Sequence, residues 1–198
     1  MTIQRTMNIL NKIVRDKHKE VALKKEHIPM RLFEQIPFFE RKTISLANKL
    51  QNSESGIIAE FKRRSPSRST INELAIVEDV AMGYEQAGVC GMSVLTDEIY
   101  FGGTLDDLIN ARQSCKLPLL RKEFIIDEYQ IVEAKAFGAD VILLIASILT
   151  RKEIKRFSKI AKSLQLDVLL EVHNEEELYK SIMPSLDMIG VNLSLIHI

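Results

Sequence analysis

Residues 57–70 read IIAEFKRRSPSRST, from Ile57 to Thr70. The stretch begins as an apolar run, turns charged at Glu60 and runs into a Ser-Pro-Ser turn. Residues two apart on a strand share a face. Glu60 and Lys62 therefore put a carboxylate and an ammonium side by side at the end of an otherwise buried strand. Ser65 offers a hydroxyl and a backbone N–H, and Pro66 rigidifies the turn. Such a turn can hold a phosphate oxygen, or it can simply cap the chain.

Working outward, short apolar runs recur as GMSVLT, LPLLRKEF, DVILLI, DVLLEV and DMIGVN. Each suits a buried parallel strand. Helical patterns fill the gaps at residues 74–87, 105–114, 127–137, 151–164 and 175–182, with Asp127, Thr150 and Asn174 placed to cap. Glycines in AGVCG and FGAD end helices before the next strand. Six βα-like steps in strict alternation predict a parallel sheet with right-handed crossovers. Either an open doubly wound sheet or a (β/α)8 barrel satisfies that pattern. No G-x-G-x-x-G follows the first strand, which weakens the dinucleotide-binding version.

The strand ends favour the barrel. The first closes on Glu60 and Lys62, the third on Arg121, Lys122 and Glu123, the fifth on Glu171 and His173, and the sixth on Asn192. In a barrel all of these reach one mouth, where catalytic groups come from several strand ends. Any one pair reads equally as the start of a solvated loop. Four ends of mixed sign together point to a site whose charges partner one another. His173 alone reads as well as a hydrogen-bonded loop residue.

Residues 1–55 differ in texture. Met7, Leu10, Val14 and Val21 predict a helix with one apolar stripe. Pro29 and Pro37 interrupt the next segment, and TISLANKLQ predicts a second helix. A cover for the bottom of the core is favoured over a lid. The 198 residues carry 46% hydrophobic side chains, enough for one sizeable core. Lys+Arg 27 against Asp+Glu 27 argues against a general nucleic-acid binder but leaves room for a local phosphate site. Cys90 and Cys115 read as reduced thiols. No apolar run approaches the roughly 18 residues of a membrane span. The expectation is a soluble, cytoplasmic protein.

IIAEFKRRSPS, SVLTDEIYFGGTLDDL, LPLLRKEFIIDEYQIVEAKAFGADVILLI, LLEVHNEEEL and IGVN, in that order, closely resemble indole-3-glycerol-phosphate synthase of tryptophan biosynthesis. The resemblance runs from Gly56 to about Asn192, and NKIVRDKHKEV is similar to that family's extra helices. It implies an α/β fold, a TIM (β/α)8 barrel that is incomplete at about six βα units, with an N-terminal helical extension over its mouth. The implied domains are an extension at 1–55, a partial barrel at 56–192 and a tail at 193–198. The implied activity is that of a carboxy-lyase, a carbon–carbon lyase without metal or other cofactor. It would convert 1-(o-carboxyphenylamino)-1-deoxyribulose 5-phosphate to indole-3-glycerol phosphate by ring closure, decarboxylation and dehydration. By motif match, Lys122 would protonate the ketone, and Lys62 would contact the carboxylate and act in dehydration. Glu60 and Glu171 would be the acid–base carboxylates, and Asn192 would position polar groups. Ser65 would touch the phosphate, while Phe101, Phe124 and Leu143 would line the aromatic pocket. The residue types suit the chemistry: an ammonium stabilises charge developing on the ketone oxygen, and dehydration needs a donor and an acceptor held close together. The implied partner is a phosphorylated small molecule, not nucleic acid or membrane, with fusion to or association with other tryptophan-pathway enzymes.

The chain departs from the family pattern in places. Ser69 stands where a glycine is usual. A barrel typically needs about 250 residues, so strands seven and eight, a glutamate–serine pair and the phosphate-binding glycines are expected to be missing. Ser194 replaces an expected arginine, and the final LSLIHI reads as non-native, what a sequencing-library transposon end would encode in one frame. The chain by itself is accordingly expected to be inactive or nearly so. Three rivals remain: another phosphate-binding barrel enzyme such as a sugar-phosphate isomerase, a fragment that docks to a partner completing its sheet, and an open doubly wound binding domain.

Overall fold

The computed structural model describes residues 2–192, with residues 2–8 described by backbone only. The tail at 193–198, Ser194 included, lies outside them. The strands are β1 (Ile58–Phe61), β2 (Gly91–Leu95), β3 (Leu119–Lys122), β4 (Val141–Ile145), β5 (Asp167–Val172) and β6 (Met188–Val191). They form one parallel sheet in the order β1-β2-β3-β4-β5-β6. A doubly wound sheet would put its first strand in the middle. Strictly sequential pairing curls instead into an incomplete TIM barrel. Among the described residues β1 and β6 each have a single strand neighbour. Ile57, Ile189 and Val191 are exposed along these edges, the kind of edge that invites further pairing.

The register sorts the side chains into two faces. Glu60 pairs Ser93, which pairs Leu120; Leu95 pairs Lys122; Ile145 pairs Glu171, which pairs Gly190. With a period of two, this set points into the barrel together with Val141, Leu143 and Leu169. The alternate set, with Phe61, Met92, Val94, Leu119, Ile142, Leu144, Val168 and Leu170, packs outward against the helices.

Those helices are α3 (Val77–Gln86), α4 (Glu98–Phe101), α5 (Leu105–Ser114), α6 (Glu128–Ala136), α7 (Arg151–Ser163) and α8 (Glu175–Ser181). Asp127 and Thr150 form capping boxes, and Asn174 accepts from the N–H of Glu177, as the sequence predicts. Thr104 builds a third box, with Asp107. The α3 helix starts at Val77 rather than at residue 74, and Leu74 is 91% exposed. Gly88 and Gly138 take left-handed φ after their helices, and Gln165 does the same at φ 63°. No residue type signals that third turn.

The extension comprises α1 (Thr2–His27), a 3-10 helix (Met30–Gln35) and α2 (Leu46–Gln51). The buried stripe of α1 is Ile13, Lys17 and Val21, while Leu10 and Val14 are only half-buried. The predicted stripe shares Val21 with the real one but is otherwise displaced, because a lysine lies at the centre of the real one. The side chain of Met7 lies outside those described. Val21 and Phe33 pack on Tyr129 and Ala136 of α6, with the Phe33 and Tyr129 rings 5.0 Å apart edge to face.

The α2 helix plugs the opposite end from the mouth. Leu46 is fully buried in the inner cluster, and a methyl on Gly91 would lie 2.5 Å from its Cδ1. The Asp167 carboxylate, at the start of β5, accepts from Ser45 Oγ at 2.8 Å and Ala47 N at 3.1 Å. Asp140, just before β4, is fully buried and takes Arg41, Arg112 and the N–H groups of Ile44 and Leu119. The implied position of the helices over the mouth is therefore corrected in part: α2 closes the bottom. Among the described residues of the extension, α1 reaches the C-terminal strand ends, through contacts of Asp16 and Lys17.

Candidate active site

Strand β1 delivers Glu60 to the inner face, and Lys62 follows it on the same side. Two strands away β3 delivers Lys122. All three meet on one carboxylate: Lys62 Nζ donates to Glu60 Oε1 and Lys122 Nζ to Glu60 Oε2, each at 2.6 Å. The three side chains are about a third exposed, at 28%, 31% and 32%, so solvent and a ligand can reach them. Burial pushes the Glu60 carboxyl up, but Lys122 and then Lys62 outweigh it, and the net shift is below the usual glutamate range. Glu60 is thus a carboxylate bracketed by two ammonium groups.

An apolar wall stands beside this cluster. Phe124, two residues past Lys122, shares its face and packs on the inner cluster that contains Leu143. Phe101 ends α4, whose N-cap Asp97 accepts from Tyr100 N at 2.7 Å. The Phe101 and Phe124 ring centroids are 5.9 Å apart. Across the sheet, Asn192 Nδ2 donates to Glu171 Oε1 at 3.1 Å. His173 approaches the same oxygen at 3.6 Å but is exposed, and both its ring Nδ1 and its backbone N–H face Glu177 of α8.

Two strand-end charges do not reach the mouth. Arg121 and Glu123 alternate with Lys122 and Phe124, so they point outward, and both are almost fully buried. Arg121 pairs Glu133 at 2.7 Å and donates to Gln130 O and Thr96 Oγ1. Glu123 accepts from Thr96 Oγ1 at 2.9 Å and pairs with Lys17 of α1 at 3.1 Å. Strand alternation alone separates them from Lys122 once Leu120 is known to face inward.

Ser65 lies on a tighter turn than its sequence suggests. It exchanges two backbone hydrogen bonds with Arg68, and its hydroxyl accepts from Arg68 N at 3.2 Å. The N–H expected to be offered to a phosphate is therefore spent; the hydroxyl lies 3.2 Å from that of Ser67. Ser69 lies beyond the closed turn and does not adopt positive φ, so its departure from glycine stores no strain there. Two arginines that sequence reasoning passes over hold this loop to its neighbour. Arg63 forks onto Asp107 at 2.6 and 2.7 Å, and Arg64 donates to Glu98 O at 2.7 Å. The available signal is the Thr104–Asp107 capping box, whose carboxylate is left with capacity for a bidentate partner.

Among the described residues no helix is long and apolar enough to cross a membrane. The sequence profile of the family described as indole-3-glycerol phosphate synthase matches residues 10–195. A curated indole-3-glycerol phosphate synthase of Bacteroides thetaiotaomicron is 43% identical over 185 residues, covering 93% of this chain and 71% of that protein. One from Acinetobacter baumannii is 42% identical over 193 residues, covering 97% and 71%. One from Dechloromonas aromatica is 40% identical, covering 93% and 72%. Among solved structures, a methylornithine synthase superposes with a TM-score of 0.50 at 13% identity, over 80% of this chain and 66% of that one. This last likeness concerns the fold alone.

Proposed function

The chain belongs to the indole-3-glycerol phosphate synthase family, and from that premise we propose how its mouth performs the synthesis that serves tryptophan biosynthesis. The substrate would be 1-(o-carboxyphenylamino)-1-deoxyribulose 5-phosphate, and the enzyme a carboxy-lyase. The observation that carries this reading is Glu60 holding Lys62 and Lys122 at 2.6 Å each.

In the first step the substrate's ring carbon bearing the carboxylate attacks the ketone carbon. The ketone oxygen gains negative charge, and Lys122 gives it a proton while the carbon–carbon bond forms. Lys62 holds the carboxylate until CO2 leaves and its bonding pair restores the aromatic ring. The new hydroxyl then departs as water: Lys62 supplies a proton and Glu171, oriented by Asn192, accepts one from the ring system. Glu60 keeps both ammonium groups charged and in place. Phe101, Phe124 and Leu143 hold the benzoate ring and exclude water, and the Ser65 hydroxyl donates to the phosphate. This is the chemistry of a protein acting in the cytoplasm on a phosphorylated small molecule.

The test is complementation of a tryptophan auxotroph lacking this synthase, using the full-length gene. We expect rescue by the natural gene and none by its Lys122→Ala version. Rescue by both would overturn the role of Lys122.

A further inference from the structure

The N-terminal helix places a lysine where its sequence pattern calls for an apolar residue. Lys17 lies between Ile13 and Val21 on the buried stripe of α1 and is 2% exposed. Its ammonium contacts Asp97 at 3.0 Å, Glu123 at 3.1 Å and Glu20 at 2.7 Å. The first two partners are not arbitrary. Asp97 caps α4, the helix that carries Phe101. Glu123 sits between Lys122 and Phe124, and its Oε1 also accepts the N–H of Phe124 at 2.9 Å. One side chain from the extension is thus joined to both elements that present the facing rings of the mouth. Tyr100, next to Phe101, adds a second tie by donating to Asp16 Oδ2 at 2.6 Å.

We propose that Lys17 is a positioning residue for substrate binding: through Asp97 and Glu123 it sets the separation of Phe101 and Phe124, and with it the slot for the substrate's aromatic ring. The inference rests on the assignment of those rings to the substrate site. A lysine is suited to the task because its three donors can reach three carboxylates converging from different elements. A hydrophobic residue there would fill the space but leave α4 and the end of β3 free to move apart. Exclusion of water strengthens the attraction, so the tie survives salt that would loosen a surface pair.

The test compares Lys17→Met with Asp140→Asn, a control that weakens the fold at the bottom of the barrel. The protein is labelled with 4-fluorophenylalanine, and each resonance is assigned by replacing one phenylalanine at a time. In Lys17→Met the fluorine signals of Phe101 and Phe124 shift while those of Phe33 and Phe157 stay; in Asp140→Asn the Phe101 and Phe124 signals stay. In turnover by the protein encoded by the gene, Lys17→Met raises KM about tenfold with a smaller change in kcat, and Asp140→Asn leaves KM unchanged. Should Lys17→Met fail to fold, Lys17→Gln carries the test, since it removes the ion pairs with Asp97 and Glu123 while keeping a polar group in the same place, and it shifts the signals of Phe101 and Phe124. Unmoved Phe101 and Phe124 signals in every folded variant overturn the proposal. Signals that shift as expected with KM unchanged would keep the clamp and refute the placement of the substrate ring between Phe101 and Phe124.

Discussion

Glu60 and Glu123 are both glutamates at strand ends, and both are held by lysines, yet they do opposite work. Glu60 faces the barrel interior, remains 28% exposed and takes two ammonium groups that a ligand can reach. Glu123 faces outward, is 2% exposed and is fully committed to Lys17, Thr96 and the Phe124 amide. Burial pushes its carboxyl up, but Lys17 and Arg121 overcome that and hold it below the usual range, as Lys122 and Lys62 do for Glu60. A depressed carboxyl therefore does not separate the proposed reactive cluster from the architectural one. Facing and access do.

Glu60→Gln should cut turnover by a factor of about 10² or more by releasing both lysines, with a fall in stability much smaller than that of Lys17→Met, as measured by steady-state assay beside a melting curve. Lys17→Met should do the reverse to stability. Removing one partner of a buried ion pair costs about 3–5 kcal/mol, here because Asp97 and Glu123 stay buried without their ammonium, and urea titration reads the loss directly. Adding Glu123→Gln to Lys17→Met should recover part of it, because a neutral amide is cheaper to bury than an unpaired carboxylate.

A pH series sharpens the same contrast. Because the Glu60 carboxyl is depressed when folded, its contribution to stability is present above 4.5, its ordinary value, and is lost as pH falls through the folded value. The difference in urea midpoint between the natural protein and Glu60→Gln should shrink to nothing on acidification. Lys17 works the other way: burial lowers its pKa, but Glu123 and Asp97 outweigh burial and the net shift is upward. Its contribution is therefore complete below 10.5 and lost only as pH rises through the raised value. The smallest effect belongs to Lys25, whose pairing with Asp127 is exposed. Lys25→Ala should shift stability by no more than about 0.5 kcal/mol in the same titration.

Much of this architecture can be read from the chain. Alternating apolar runs and helix caps place every strand, and the charges at their ends point to the mouth. The features that stay hidden have physical causes. Arg121 and Glu123 look like companions of Lys122 because adjacency in sequence hides the alternation of a strand. Lys17 is invisible because a search for apolar periodicity discards a lysine, although its partners bring the charge it needs. A cover for the bottom of the core is legible in the extension, but that Leu46 of α2 supplies it depends on Asp140 and Asp167 lying at the bottom of the barrel, a long-range pairing that local pattern does not carry. The turn at Ser65 is legible in Ser-Pro-Ser, but its closure on Arg68 by two backbone hydrogen bonds, which takes up the Ser65 N–H, is not.

In the proposed mechanism Lys122, held by Glu60, is the proton donor of ring closure. That role is tested most directly by measuring kcat for the protein encoded by the gene and for its Lys122→Met variant, with the thermal midpoint of each. We expect a fall in kcat of about 10²–10⁴ with the midpoint nearly unchanged, because Lys122 is 32% exposed. A variant that turns over substrate within a factor of about two of the natural rate, well below what a lost general acid costs, would contradict it.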